Sequence, residues 1–184
     1  MTNREQIVST VDALVAATKE ESVDHITVRG KLANAPSVRL SPGQTMRGDG
    51  DDAVVTFAAT DGVQLSSDNR IHNLRVETSP EKRAIFNDTS VDSLGRIELR
   101  GVTAVGRVQI LARDKVRAGH VDVTGLDIVA ADARAETDRP QGYGVYVLQG
   151  AFTLWNMQQD TSVSISSDLV GLSASVMKKA AFSI

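Results

Sequence analysis

The chain has 184 residues, 41% of them hydrophobic and 23% charged, with a net charge of −3; this suffices for one domain with a real core and is too little for two large ones. Its Lys and Arg residues are scattered singly, so no basic cluster invites nucleic acid, and no run of about 18 apolar residues offers a membrane span. The absence of Cys excludes disulfides, thiolate ligands and thiol nucleophiles. The first 25 residues lack the apolar stretch of a secretory signal, which reads as a cytoplasmic protein, as would an exported one whose leader had been removed.

At the N-terminus, Thr2-Asn3-Arg4-Glu5 has the form of a capping box, and Ile7, Val11, Leu14, Val15 and Thr18 follow at helical spacing. This predicts a helix from about residue 3 to about residue 21, within an N-terminal capping unit of residues 1–24. After Asp24 the texture changes to short apolar/polar alternations punctuated by Gly, Asn, Asp and Pro. His25–Arg29, Val38–Leu40, Thr45–Gly48, Val54–Phe57 and Val63–Leu65 are the first of these, with Pro42-Gly43 fixing a turn. Such segments bury one face only, and no helical pattern separates them, which argues against a βαβ arrangement.

Four segments repeat one design: an alternation reaches an Asn or Gly and then resumes, at Asn73, Gly101, Gly125 and Asn156. The steps from 73 to 101, 101 to 125 and 125 to 156 are 28, 24 and 31 residues. Irregular periods of this size suit a coil with one sharp corner per turn, where the backbone turns left-handed, and loops of variable length elsewhere. An antiparallel sandwich is the competing arrangement, but its hairpins have no reason to repeat one corner. The expected fold is therefore all-β, a right-handed parallel β-helix over residues 25–176 with the N-terminal helix across its open first turn and a tail at 177–184. In the expected cycle Gly144–Leu148 closes the third turn, and Ala151–Leu154, the Asn156 corner strand and Ser162–Ile165 make the fourth.

On these corners, and on the lead-in Ser41-Pro42-Gly43-Gln44-Thr45-Met46-Arg47-Gly48, the chain resembles right-handed parallel β-helix proteins of the pectate-lyase-like superfamily. The resemblance implies three parallel sheets, a helix over the N-terminal end and an Asn-rich corner. The run from Gly142 to Asn156 is similar to uncharacterised bacterial β-helix repeat proteins longer than this chain, which implies an N-terminal portion of such a protein. The ending at Val176–Ile184 has no evident closing motif. An exposed last turn, covered by the tail or by self-association with a second copy, is therefore expected.

Candidate chemistry is sparse. Asp49, Asp51 and Asp52 form a Gly/Asp loop suited to a calcium ion or a solvated turn. The resemblance to calcium-dependent lyases suggests Asp88, Asp92 and Asp114 as acids, with Arg113 or Lys115 as base. Glu98 and Asp122 alternate with apolar neighbours and should point outward from one sheet on adjacent turns, at a spacing that glycoside hydrolysis requires of a carboxylate pair. His25, His72 and His120 are too few and too spread to make a metal site, and no cofactor motif is present. Tyr143, Tyr146 and Trp155 concentrate aromatic surface beside Arg134 in the 131–141 loop, either packing against that loop or offering faces for sugar rings. The expected function is a structural or interaction scaffold without a complete active site, the alternative being a protein that binds or cleaves a polysaccharide.

Overall fold

The computed structural model describes residues 4–112 and 114–131 together with the strand segments 152–156, 162–167 and 175–176. A short strand, β1 (Glu5–Val8), precedes the only helix among the described residues, α1 (Val11–Lys19). Three-strand turns follow: β2 (His25–Val28), β3 (Lys31–Ala35) and β4 (Val38–Arg39); β5 (Thr45–Gly48), β6 (Val54–Phe57) and β7 (Val63–Leu65); β8 (Arg70–His72), β9 (Arg75–Glu77) and β10 (Arg83–Asn87). Then come β11 (Ser93–Arg100), β12 (Thr103–Val105) and β13 (Arg107–Ala112), and β14 (Ala118–Thr124), β15 (Asp127–Ala130) and β16 (Phe152–Asn156), with β17 (Ser162–Ser167) and β18 (Ser175–Val176) starting a further turn. First strands stack in sheet A with β1 at its edge, second strands in sheet B and third strands in sheet C. The described pairings are all parallel, so the chain is a β-solenoid of about five turns.

Alternation converts directly into columns of side chains. In sheet A the inward column is Ile26, Met46, Ile71, Leu99 and Val123, each in register with the next. Sheet B contributes Leu32, Val55, Val76, Ala104 and Ile128, and sheet C Val38, Val63, Ile85 and Val108. Nearly all of them are fully buried, and each large aliphatic side chain so placed stabilises the fold by about 1.5–3 kcal/mol. With few aromatics available, layered branched aliphatics fill the interior.

The corner between sheets A and B is the recurrent one. Two residues suffice at 29–30, 73–74, 101–102 and 125–126, and Gly30, Asn73, Gly101 and Gly125 there have φ of 71°, 47°, 60° and 62°. Asn tolerates this left-handed region better than other side chains, and Gly occupies it without cost. At Gly101 a Cβ would also stand 2.6 Å from Oδ1 of Asn73 on the turn before. Asn156 is not one of these corners. It ends β16 in sheet C, in register with Ala112. The reason is that Phe152–Asn156 pairs with β13 as the third strand of the fifth turn, and Ser162–Ser167 begins the next turn beneath β14. The expected strand at Gly144–Leu148 lies outside the described residues.

The N-terminus also differs from expectation. Thr10, not Thr2, caps the helix, its Oγ1 accepting from Ala13 N at 3.2 Å; residues 5–8 extend sheet A because Val8 can be buried against the helix while Glu5 bonds outward to Thr27 and Arg47. The helix itself covers the first turn, burying Leu14, Ala17 and Thr18 and touching β1 to β4. Its C-terminal end is closed from below by a buried amide: Gln44 Nε2 donates to the carbonyls of Ala17 (3.0 Å), Glu20 (3.3 Å) and Val23 (3.0 Å), while its Oε1 accepts from Ser41 N (2.8 Å). One turn on, Asn69 takes the equivalent place, donating to Ser41 O (2.7 Å) and Gln44 O (3.2 Å) and accepting from Ser66 N (2.7 Å). Orphan carbonyls at a helix end and at the corner between sheets C and A are thereby satisfied inside the core.

Substituting Gln44→Leu keeps the volume and strands the Val23 carbonyl and the Ser41 N–H, while Ala17 O and Glu20 O keep the backbone donors Glu20 N and Val23 N. Chemical denaturation should show a loss of about 1–3 kcal/mol, since a buried acceptor and a buried donor lose their partner together, and the far-UV spectrum should lose its helical part first.

Candidate functional site

Outward residues of sheet A form the densest array of functional side chains among the described residues. The outward columns run Glu5, His25, Thr45, Arg70, Glu98, Asp122 and, beside them, Ile7, Thr27, Arg47, His72, Arg100, Thr124. Arg96 and His120 make a third column on β11 and β14. All three histidines of the chain therefore share one face. β11 separates His72 from His120, so they are not neighbours.

Glu98 and Asp122 stand in register on adjacent strands, about 4.8 Å apart along the stack. Neither carboxylate is open. Oε1 of Glu98 meets Arg100 Nη2 at 2.8 Å and His72 Nε2 at 3.3 Å, with Arg70 Nε 3.7 Å from Oε2. Asp122 meets His120 Nε2 at 2.7 Å and Arg96 Nη2 at 2.5 Å. The two carboxylate side chains are only 14% and 13% exposed, against 62% for Arg100 and 60% for Arg96. Solvent therefore meets guanidinium groups, with the negative charge sunk beneath them. Further up the face Arg47 donates to Thr27 Oγ1 (2.9 Å) and to Glu5 (2.8 Å), and Thr27 Oγ1 donates to Glu5 (2.6 Å). Those bonds hold the Glu5 carboxyl below its usual range, Thr27 contributing most and Arg47 next.

His72 is pushed the other way from a typical ion-paired histidine. Burial lowers its pKa most, and the Arg100 and Arg70 charges add to that against the opposing pull of Glu98. The neutral imidazole is thus favoured at pH 7, in a site already supplied with cations.

Other sequence candidates are brought into local structure. Asp49 pairs with Arg29 at 2.8 Å. Asp88 accepts from Ser90 N (2.8 Å) and Oγ (2.7 Å) and from Arg39 (2.9 Å), and although burial raises its pKa, the bonds from Ser90 and Arg39 prevail and lower it. Asp114 accepts from Thr89 Oγ1 at 2.6 Å. Asp92 and Lys115 offer their backbone to the stack, through Asp92 O to Arg117 N and Lys115 N to Thr89 O. No group of three or more potential ligands able to hold a metal exists among the described residues. Tyr143, Tyr146, Arg134 and Arg113 lie outside the described residues; Trp155 lies in β16, in register with Leu111.

Two features escaped the sequence reading. The arginine layer is one: Arg70, Arg96 and Arg100 share the parity of Glu98 and Asp122 within their strands, a signal that strand-by-strand pairing would have exposed. The other is a groove of about 630 Å³ on the corner of sheets A and B, lined by Gly48, Asp51, Asn73, Arg75, Gly101 and Thr103. It arises because the second turn spends five residues, 49–53, on a corner that elsewhere takes two. Gly48 has no room for a Cβ, which would fall 2.1 Å from Asn73 O.

No protein-family description, curated protein or solved structure matches this chain.

The His72 environment fixes a pH dependence. Its folded pKa lies below the unfolded value near 6.5, so the unfolded chain binds more protons as pH falls through that value, and stability should decline there. Asp61 adds a second decline, starting as pH falls through the ordinary carboxylate value and continuing below it: burial raises its pKa, but hydrogen bonds and charge from Arg83 more than offset this, and the lowered Glu5 and Asp88 act in the same direction. Urea midpoints between pH 8 and pH 2 should show both declines, and His72→Gln should flatten the upper one while leaving the lower.

Proposed function

We propose that the chain is a structural or interaction scaffold, a β-solenoid whose polar surface groups stabilise and present the stack and do not break bonds. The observation that carries this is the ion pairing of Glu98 and Asp122, each beneath arginine and beside a histidine. A hydrolase acid presents a protonated oxygen to its substrate and a nucleophile an open lone pair; here Oε1 of Glu98 is shared by Arg100 and His72, and each Asp122 oxygen faces a cation or an imidazole. We read the chain further as a bacterial, cytoplasmic relative of pectate-lyase-like β-helix proteins and as the N-terminal part of a longer member. The parallel three-sheet stack and the helix over its first turn support that affiliation.

A second reading has one observation in its favour: the exposed layer of sheet A is guanidinium, which matches the carboxylates of an acidic polysaccharide laid across the turns.

Assays with uronate-polymer lyase and glycoside hydrolase substrates should yield no product, and Glu98→Gln should leave that unchanged while lowering stability by about 1–3 kcal/mol, because Arg70 and Arg100 lose their counter-charge. Turnover that vanishes in a folded Glu98→Gln or Asp122→Asn variant would overturn the scaffold reading. On an array of glycans, retention of acidic polymers that weakens in 0.5 M salt and in the Arg96→Gln/Arg100→Gln variant would instead establish the second.

A further inference from the structure

Imidazole is the side chain that ordinarily changes charge between pH 8 and pH 5, and all three histidines of this chain lie on the outward side of sheet A. His25 stands in register with Glu5, apart from the arginine layer. The other two share carboxylates with the exposed arginines. Oε1 of Glu98 is divided between His72 Nε2 at 3.3 Å and Arg100 Nη2 at 2.8 Å; Asp122 gives Oδ1 to His120 Nε2 at 2.7 Å and Oδ2 to Arg96 Nη2. The remaining groups that face these imidazoles are few. In register with His72 are Arg47 on β5 and Arg100 on β11, with Arg70 on its own strand. In register with His120 are Arg96 on β11 and the uncharged Ser164 on β17; Asp68, from the corner before β8, accepts from Arg96 N. Arg47 is already paired with Glu5. Across β8, β11 and β14, Arg70, Arg96 and Arg100 thus exceed Glu98 and Asp122 by one charge while both imidazoles are neutral, and by three once both are protonated.

We propose that this face is an acid-gated polyanion site, in which protonated His72 and His120 hold the two carboxylates while Arg100 and Arg96 turn to the acidic groups of a polysaccharide laid across the turns. The proposal rests on the second reading above and adds its regulation. At pH 7 burial above all keeps His72 neutral, so Glu98 depends on its arginines for a counter-charge. A protonated imidazole supplies that charge from beneath, its N–H becoming a charge-assisted donor to an oxygen it already adjoins. Glu98 shows the exchange most directly, because His72 and Arg100 compete for one oxygen. The arginines are the arms placed to leave: Arg100 and Arg96 are 62% and 60% exposed, against 25% and 40% for His72 and His120. Protonation therefore changes two things together, the net charge of the face and the number of guanidinium groups open to a ligand. No histidine lies elsewhere in the chain, so the change in imidazole charge is confined to this surface.

Dextran sulfate is the probe, since its sulfates stay ionised throughout this range, with neutral dextran as the blank. Binding of the full chain should tighten about tenfold between pH 7.5 and pH 5.5 at constant ionic strength, the gain expected of two added surface ion pairs. The His72→Gln/His120→Gln variant should keep the affinity that the wild type has at pH 7.5 and lose the increase. Linkage is reciprocal, so saturating dextran sulfate should raise the titration midpoints of the His72 and His120 rings, followed by NMR on the wild-type chain; this measurement serves if the double variant does not fold. Equal binding at both pH values would overturn the gate and leave the polyanion reading standing, whereas no binding at either would overturn both. A pH response preserved in the folded double variant, or ring midpoints unmoved by bound polymer, would also overturn the gate.

Discussion

In-register stacking is the constraint on which everything else in this solenoid depends. A strand placed directly beneath its counterpart one turn earlier shares the same inward and outward parity, so a single slip of one residue would reverse a whole face. The two-residue corners at 29–30, 73–74, 101–102 and 125–126 hold that register because their first or second residue accepts a left-handed backbone. From the register follow the aliphatic columns through Ile26, Met46, Ile71, Leu99 and Val123, and equally the polar columns outside them.

The same stacking that packs identical apolar groups forces charged ones together. Outward positions on successive turns lie near van der Waals range of one another, so like charges in one column would repel. Arg70 above Glu98, and the flanking positions of Arg96 and Arg100, resolve this by mixing signs within and between columns. Asp122 directly below Glu98 is the exception. Two adjacent carboxylates persist there because each is paired with its own cation and imidazole. Depth decides what a ligand would meet: long guanidinium arms lie over short carboxylates.

How much of this was legible in sequence depends on the range over which each signal acts. Alternation and corner residues are local, and they yield the solenoid, the corners Asn73, Gly101 and Gly125, and the matched positions of Glu98 and Asp122. The helix was legible as a pattern, but its start was not: Thr2 has the local form of a cap, and only the pairing of residues 5–8 into sheet A, with Val8 buried, moves the start to Thr10. Asn156 misled for a related reason. Its local pattern matches a corner, yet its sheet is set by pairing with β13, more than forty residues earlier, and a local pattern carries no label of its partner strand. Partners such as Gln44 with the carbonyls of α1 join residues more than twenty positions apart, and nothing in either segment alone announces the contact.

The second turn shows how tolerant this architecture is where the register is not at stake. Residues 49–53 lengthen one corner by three positions, and β6 still pairs with β3 above and β9 below. The added residues therefore leave the pairing of the strands on either side in place. That makes this corner a natural port for grafting: a peptide inserted between Gly50 and Asp52 would leave from the end of β5 and return to the start of β6, two strands each held by its own sheet.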